Sequence, residues 1–184
     1  MGVVLEKIKL EMKYMMELNK NFKIVEYEDK YLNDVRDLLT ELEEYLVLID
    51  EDNLDLVSPD YHEKMALVDL EEVRQNDGKC LLALDVENNK IVGLIMGIIP
   101  KYEEYDYLDY LCPKRGLITE LVVTSKIRRS GLGQQLIKAM EAYFKGKNCE
   151  YVLVDVFAYN KNAIKFYERS GYHSRMYTNI KKLK

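Results

Sequence analysis

The apolar positions of this chain change period several times, and each change marks an element. Lys23 to Glu28 (KIVEYE) alternates apolar and polar, the period of a strand with one covered face. From Tyr31 to Leu48 the period is helical, with Leu32, Val35, Leu38, Leu39, Leu42 and Leu46 on one side. Ile49 to Asp60 carries Asp50, Glu51, Asp52, Asp55, Pro59 and Asp60 and predicts an acidic loop. A second helix is predicted from Pro59, tolerated in a first turn, to about Asn76, with Gly78 as its stop. Cys80–Val86 and Ile91–Ile99 predict two strands about the turn Glu87-Asn88-Asn89-Lys90. The second is a nearly unbroken apolar run, as a central strand covered on both faces requires.

Residues 100–115 form a tyrosine-rich, acidic connection, and Leu117–Val123 predicts the next strand. Gly131–Lys145 predicts a long helix whose stripe is Leu132, Leu136, Ile137, Met140, Tyr143 and Phe144. Tyr151–Phe157 predicts a strand, Asn160–Ser170 a short helix ending at Gly171, and Tyr172–Ile180 one or two closing strands. The order β-α-α-β-β-β-α-β-α-β is mixed α/β, with helices able to cover both faces of one sheet. Residues 1–20 carry Leu5, Ile8, Met12, Met15 and Met16 at roughly helical spacing. They predict an N-terminal helical extension ahead of a main domain at 21–184.

Composition narrows the classes. The chain has 184 residues, enough for one domain with a proper core, and its 48% hydrophobic and 32% charged residues are those of a globular protein. A formal net charge of −5 argues against a broad nucleic-acid surface. No apolar run approaches the roughly 18 residues of a membrane span, and the N-terminus lacks the order of a secretory signal. Met1-Gly2 suggests myristoylation, but Glu6 stands where Ser or Thr is needed. Cys80, Cys112 and Cys149 make no CxxC pair and no disulfide framework, so reduced thiols in a cytoplasmic protein are expected. His62 and His173 are solitary, so no metal is expected.

The candidate chemistry lies between the strand ending at Val123 and the long helix. The first turn of a helix leaves N–H groups unpaired, and these with the helix dipole attract phosphate oxygens. In Arg128-Arg129-Ser130-Gly131-Leu132-Gly133 the glycines remove Cβ atoms where a pyrophosphate would approach, and the arginines add positive charge. The alternative is a plain loop opening a core helix. A Walker loop fails for want of Gly-Lys-Ser/Thr. A dinucleotide fingerprint needs its glycines at the strand end, whereas seven residues intervene after Val123 and Leu136 replaces the third glycine.

The run Arg128 to Gly133 resembles the acetyl-CoA signature of the GNAT superfamily of N-acetyltransferases, Gln/Arg-x-x-Gly-x-Gly/Ala. Ile118 to Val123 (ITELVV) looks like that family's fourth strand. A second signature follows in order: Asn160-Lys161-Asn162-Ala163-Ile164-Lys165-Phe166-Tyr167-Glu168-Arg169-Ser170-Gly171-Tyr172 is similar to Asn-x-x-Ala-x-x-Phe-Tyr-Glu-x-x-Gly-Phe/Tyr. Together they cover about a third of the chain. The resemblance implies a mixed, mostly antiparallel central sheet with helices on both faces. It implies transfer of acetyl from acetyl-CoA to a primary amine by direct attack in a ternary complex. A non-catalytic acyl-CoA-binding or sensing domain is the alternative.

The resemblance also implies roles. The fourth strand splays from the fifth, and the pantetheine arm lies against the backbone of Leu121, Val122 and Val123. The Leu121 N–H is then the donor to the acetyl carbonyl. Arg128, Arg129, Ser130, Gly131, Leu132, Gly133 and Gln134 form the pyrophosphate turn. Asn160 bonds the cofactor arm or caps its own helix. Ala163 and Phe166 line the same helix's approach to the cofactor. Tyr167 is the general acid for the leaving thiolate, or else an ordinary half-buried tyrosine. Glu120 is the base, or a solvated or substrate-binding carboxylate. An acyl-enzyme through Cys112 is set aside because no activating base stands near it in sequence.

Residues 41–60 hold eight Asp or Glu and no Lys or Arg, and 102–110 (YEEYDYLDY) adds four more acids among four tyrosines. Acids flanking a cleft would attract a cationic small molecule or peptide, with tyrosines for cation–π contact. Solvated charge on an acidic protein is the plain alternative. Neither nucleic acid nor membrane is expected as a partner, and strands after Tyr172 would offer an edge at which a homodimer could pair.

Overall fold

A computed structural model describes residues 21–183, so the predicted N-terminal helical extension lies outside the described residues. Strand β1 (Phe22–Glu26) leads through a 3-10 turn (Asp29–Tyr31) into helix α1 (Leu32–Ile49). Helix α2 (Tyr61–Gln75) follows the acidic loop, and β2 (Lys79–Asp85) and β3 (Lys90–Ile98) form a hairpin. A single helical turn, Asp106–Asp109, interrupts the tyrosine-rich connection before β4 (Arg115–Val123). A second 3-10 turn (Ser125–Ile127) leads to α3 (Leu132–Gly146), then β5 (Tyr151–Val154) and α4 (Lys161–Arg169).

The five strands form one sheet in the order β1-β2-β3-β4-β5. The first three pairings are antiparallel and β4–β5 is parallel. One core packs Val35, Leu38 and Leu39 of α1 and Ala66 and Val73 of α2 against Cys80, Leu82, Leu94, Met96 and Val122. The opposite core packs Leu132, Leu136, Ile137, Met140 and Phe144 of α3 against Ala83, Ile95 and Ile118, and takes in Tyr167 of α4. Alternation along each strand sends successive side chains to opposite cores, and this is why β3 reads as continuously apolar.

Two elements end differently from expectation. The strand predicted over Tyr151–Phe157 stops at Val154, because the pairing with β4 stops at Ile118↔Val154. The closing strands predicted over Tyr172–Ile180 are absent: residues 172–183 have no regular structure and are exposed from His173 onward. Their alternation finds no ladder on the outer side of β5. A strand with no partner and no apolar face to bury does not persist.

Candidate active site

The register of β4 builds the site. Met96 pairs with Glu120 and Gly97 with Ile118, so Thr119 is an extra residue, a bulge that bends β4. Pairing with β5 ends at that bulge, on Ile118. Beyond it, residues 119–123 keep β3 on one side and, among the described residues, have no strand on the other. The Thr124 N–H donates to the Val92 carbonyl at 3.0 Å, on the β3 side. Alternation then turns the N–H and C=O of Leu121 and Val123 the other way, into the gap beyond β5. Val122 is buried with its backbone toward β3, so it supports the strand rather than facing the gap.

The turn at the mouth of the gap is shaped by two left-handed residues, Arg129 at φ 68° and Gly131 at φ 84°. A left-handed residue followed by a helical one, as Gly131 is by Leu132, turns consecutive N–H groups to one side to make an anion nest. Gly131 is the N-cap of α3, and the first-turn amides of Gly133 and Gln134 are among its unpaired donors. Gly133 has a second reason to lack a side chain: a Cβ there would stand 3.2 Å from the Phe166 ring. Ser130 is buried and its Oγ accepts from the Leu132 N–H at 3.4 Å. The Gln134 side chain donates to Ser170 Oγ at 2.6 Å, tying α3 to the end of α4.

Arg128 sits across the top of β4. Its Nε donates to the Val123 carbonyl at 3.1 Å, and its guanidinium lies 3.5 Å from Glu41 and over the Tyr45 ring. The Arg129 side chain is exposed. Asn160 caps α4, its Oδ1 accepting from the Ala163 N–H at 3.1 Å, which leaves its amide N–H groups uncommitted to that bond. Phe166 and Tyr167 meet edge to face at 5.3 Å, and Tyr167 meets Tyr172 at 5.5 Å.

Tyr167 is only 8% exposed. Burial, and then the charge of Glu120, push its phenol above the ordinary range, so it holds its proton at neutral pH. Glu120 belongs to the row Cys80–Met96–Glu120 across three strands and faces the α1/α2 side. Burial, and then the charges of Asp69, Glu43 and Glu72, push its carboxyl up to about 8. Glu120 and Tyr167 thus lie on opposite faces of the sheet and still interact electrostatically through it.

Sequence reasoning did not single out Glu43, Tyr61 or Asp69. Glu43 of α1 is half-buried and hydrogen-bonded to Tyr61, and burial raises its carboxyl. Asp69 occupies the core stripe of α2 with Ala66 and Val73, a carboxylate at an apolar position that the spacing alone could have flagged. No described group of three or more His, Cys, Asp or Glu residues converges to hold a metal ion.

The acidic segments separate. The loop after α1 is ordered by Asp50, whose carboxylate accepts from the Asp52, Leu54 and Asp55 amides, and Tyr159 OH donates to Asp52 at 3.0 Å. The tyrosine-rich segment lies at the far end of β4. There Tyr102 takes the Arg115 guanidinium on its ring at 4.3 Å, and a groove of about 1120 Å³ runs between Tyr110, Tyr151 and Tyr172. The Cys112 thiol is pushed up by burial and by Asp106, the reverse of an activated nucleophile.

A bulged β4 parting from β5 at the N-terminus of a long helix, inside this mixed sheet, is the acyl-CoA N-acyltransferase fold. The family model described as "Acetyltransferase (GNAT) family" matches residues 32–172, and the chain belongs to that family. An uncharacterised N-acetyltransferase of Methanocaldococcus jannaschii is 39% identical over 97 residues, which are 52% of this chain and 54% of that protein. N-alpha-acetyltransferase 30 of Homo sapiens is 42% identical over 60 residues, 32% of this chain and 16% of that protein. The chain therefore matches about half of the archaeal relative's length and about a sixth of the human one's. In fold, the BH1408 protein of Bacillus halodurans superposes with a TM-score of 0.73 at 21% identity, covering 88% of this chain and 99% of that one. No described helix is long and apolar enough to cross a membrane.

Proposed function

We propose that the protein transfers an acetyl group from acetyl-CoA to a primary amine by direct attack in a ternary complex. The observation that carries this is the half-open β4, whose Leu121 and Val123 backbone faces a gap flanked by Glu120 and Tyr167. Acetyl-CoA supplies an activated thioester. The chain's own residues bind it, orient it and move protons. The amides of Arg129, Gly131, Gly133 and Gln134 hold the pyrophosphate, where the αL residues and the helix dipole favour anions. Val123 and Asn160 hold the extended arm as an added strand would be held. The Leu121 N–H donates to the acetyl carbonyl oxygen as charge develops there.

An amine attacks only when neutral. A lysine-like amine, with a pKa near 10.4, is neutral in about one part in 2,500 at pH 7, and an α-amino group near 7.7–8.0 in about a tenth. Glu120 takes the amine's proton, and its raised basicity suits that task. Tyr167 keeps its proton at neutral pH and gives it to the departing thiolate. The carboxylates of Glu43, Asp69, Glu72 and Glu120 favour a cationic small molecule or peptide as acceptor.

The test is a panel of polyamines, aminoglycosides and peptides with acetyl-CoA, read by free thiol release. Amine-dependent release is expected. Acetyl-CoA binding without release for any amine would make the protein an acyl-CoA-binding domain. Absence of binding would remove the cofactor altogether.

A further inference from the structure

We propose that Asp69, buried on the inner stripe of α2 with an unpartnered carboxylate oxygen, is a positioning residue that acts through Glu120 when the amine's proton is taken up. The inference rests on Glu120 being the base. Asp69 is 7% exposed, and its Oδ2 is buried with no hydrogen-bond partner among the described residues. A carboxylate so placed has no water to spread its charge, and native proteins rarely leave one unpaired without a use for it.

Its location follows from what it acts on. Asp69 shares the inner stripe of α2 with Ala66 and Val73. Ala66 and Val73, one turn to either side of Asp69, pack in the same core as Cys80 and Met96, so Asp69 lies over the row Cys80–Met96–Glu120 from the helix side, and its charge reaches both Cys80 and Glu120. It is the foremost charge acting on Glu120, and Asp69 is itself pushed up by burial and then by Glu72, to about 6. The other groups facing Glu120 are Glu43 of α1, Tyr61 and Glu72 of α2, and Tyr167 of α4. No lysine or arginine is among the charges acting on Asp69 or Glu120. Among the described residues no cation offsets the repulsion, and uptake of one proton relieves it.

The step is then balanced. One N–H bond of the acceptor ammonium breaks, an O–H bond forms on Glu120, and the nitrogen lone pair is freed for attack. Of two carboxyls that repel across a buried space, one takes up a proton more readily than it would without the other. Asp69 does not touch the substrate in this scheme: its oxygen is enclosed, and it works through the field on Glu120.

The experiment follows the Glu120 side-chain carboxyl by carbon-13 NMR against pH, alongside kcat against pH, in the wild type, Asp69→Asn, Asp69→Glu and Glu120→Gln. In the wild type the Glu120 curve should titrate well above the ordinary carboxylate range and carry a second inflection from Asp69. In Asp69→Asn both the Glu120 midpoint and the acid limb of kcat should move down by about one pH unit or more. The rate plateau above pH 9 should fall about threefold, the behaviour of a weaker base. Asp69→Glu, which keeps the charge, should hold the midpoint up. A single wild-type curve in the ordinary carboxylate range overturns the proposal without any variant having to fold. An Asp69→Asn midpoint equal to wild type overturns it while Glu120→Gln still abolishes turnover. Glu120→Gln turning over like wild type instead removes Glu120 as the base, and Asp69's positioning role with it.

Discussion

Glu41 of α1 accepts the Ser125 N–H at 2.7 Å, joining two residues 84 positions apart in the chain. The same carboxylate accepts from Thr124 Oγ at 2.9 Å and lies 3.5 Å from the Arg128 guanidinium. The turn that leaves β4 is therefore held from outside, by a helix on the opposite face from α3. Glu41→Ala should weaken acetyl-CoA binding about tenfold, since it frees a backbone donor and loosens the approach to Arg129 and Gly131. Calorimetry with acetyl-CoA measures this. An affinity equal to wild type would mean that the turn keeps its shape without the clasp.

Tyr167→Phe removes one hydroxyl from a ring packed between Phe166 and Tyr172, so the packing should survive. If Tyr167 protonates the leaving thiolate, turnover should fall at least about tenfold with little change in acetyl-CoA affinity. Single-turnover measurement separates this from slow product release. Equal single-turnover rates in the two proteins would return Tyr167 to the role of core tyrosine.

Much of this was written locally. The α3 stripe of Leu132, Leu136, Ile137 and Met140 is legible in spacing alone, and these residues are buried as that spacing requires. The strands β2 and β3 were legible from their apolar runs and the turn between them. What was not legible depends on contacts distant in sequence. The bulge at Thr119 ends the β4–β5 ladder and so shortens β5, yet nothing within Tyr151–Phe157 announces it. Gly133 lacks a Cβ partly because Phe166, 33 positions later, lies against it. Asp69 is not legible from apolar periodicity, because that pattern is carried by the residues that fit the stripe and Asp69 breaks it.

Asp69 and Glu120 make stability depend on pH in a definite direction. Both carboxyls are raised in the folded protein, from 3.8 to about 6 and from 4.5 to about 8. Their stabilising contribution is complete below the unfolded values and is lost as pH rises through 6 and then 8. Asp50, Glu71 and Asp85 are shifted down, so their contribution is complete above the unfolded values and is lost only as pH falls below about 5. Between pH 5 and 8.5 the raised pair should dominate, and Tm should be at least about 3 °C higher at pH 5. Glu120→Gln and Asp69→Asn should each flatten that slope and raise Tm at pH 8.5. A Tm that rises with pH over this window would contradict the burial of both groups.

The two glycines of the turn fail in different ways when given a side chain. Gly131 stands at φ 84°, so Gly131→Ala forces an L residue into the left-handed region at a cost of about 1–2 kcal/mol and distorts the nest itself. Gly133 is the second residue of the helix, and its added methyl would meet the end of the Phe166 ring at 3.2 Å, a contact the ring can relieve by a small shift. Gly131→Ala should therefore lower both Tm and acetyl-CoA affinity. Gly133→Ala should press on Phe166 and its neighbour Tyr167, lowering turnover more than thermal stability. Melting curves, calorimetry and kcat on the two variants separate the cases. Equal affinity loss in both, with turnover unaffected in Gly133→Ala, would show that the second glycine serves the phosphate alone and that its contact with Phe166 is incidental.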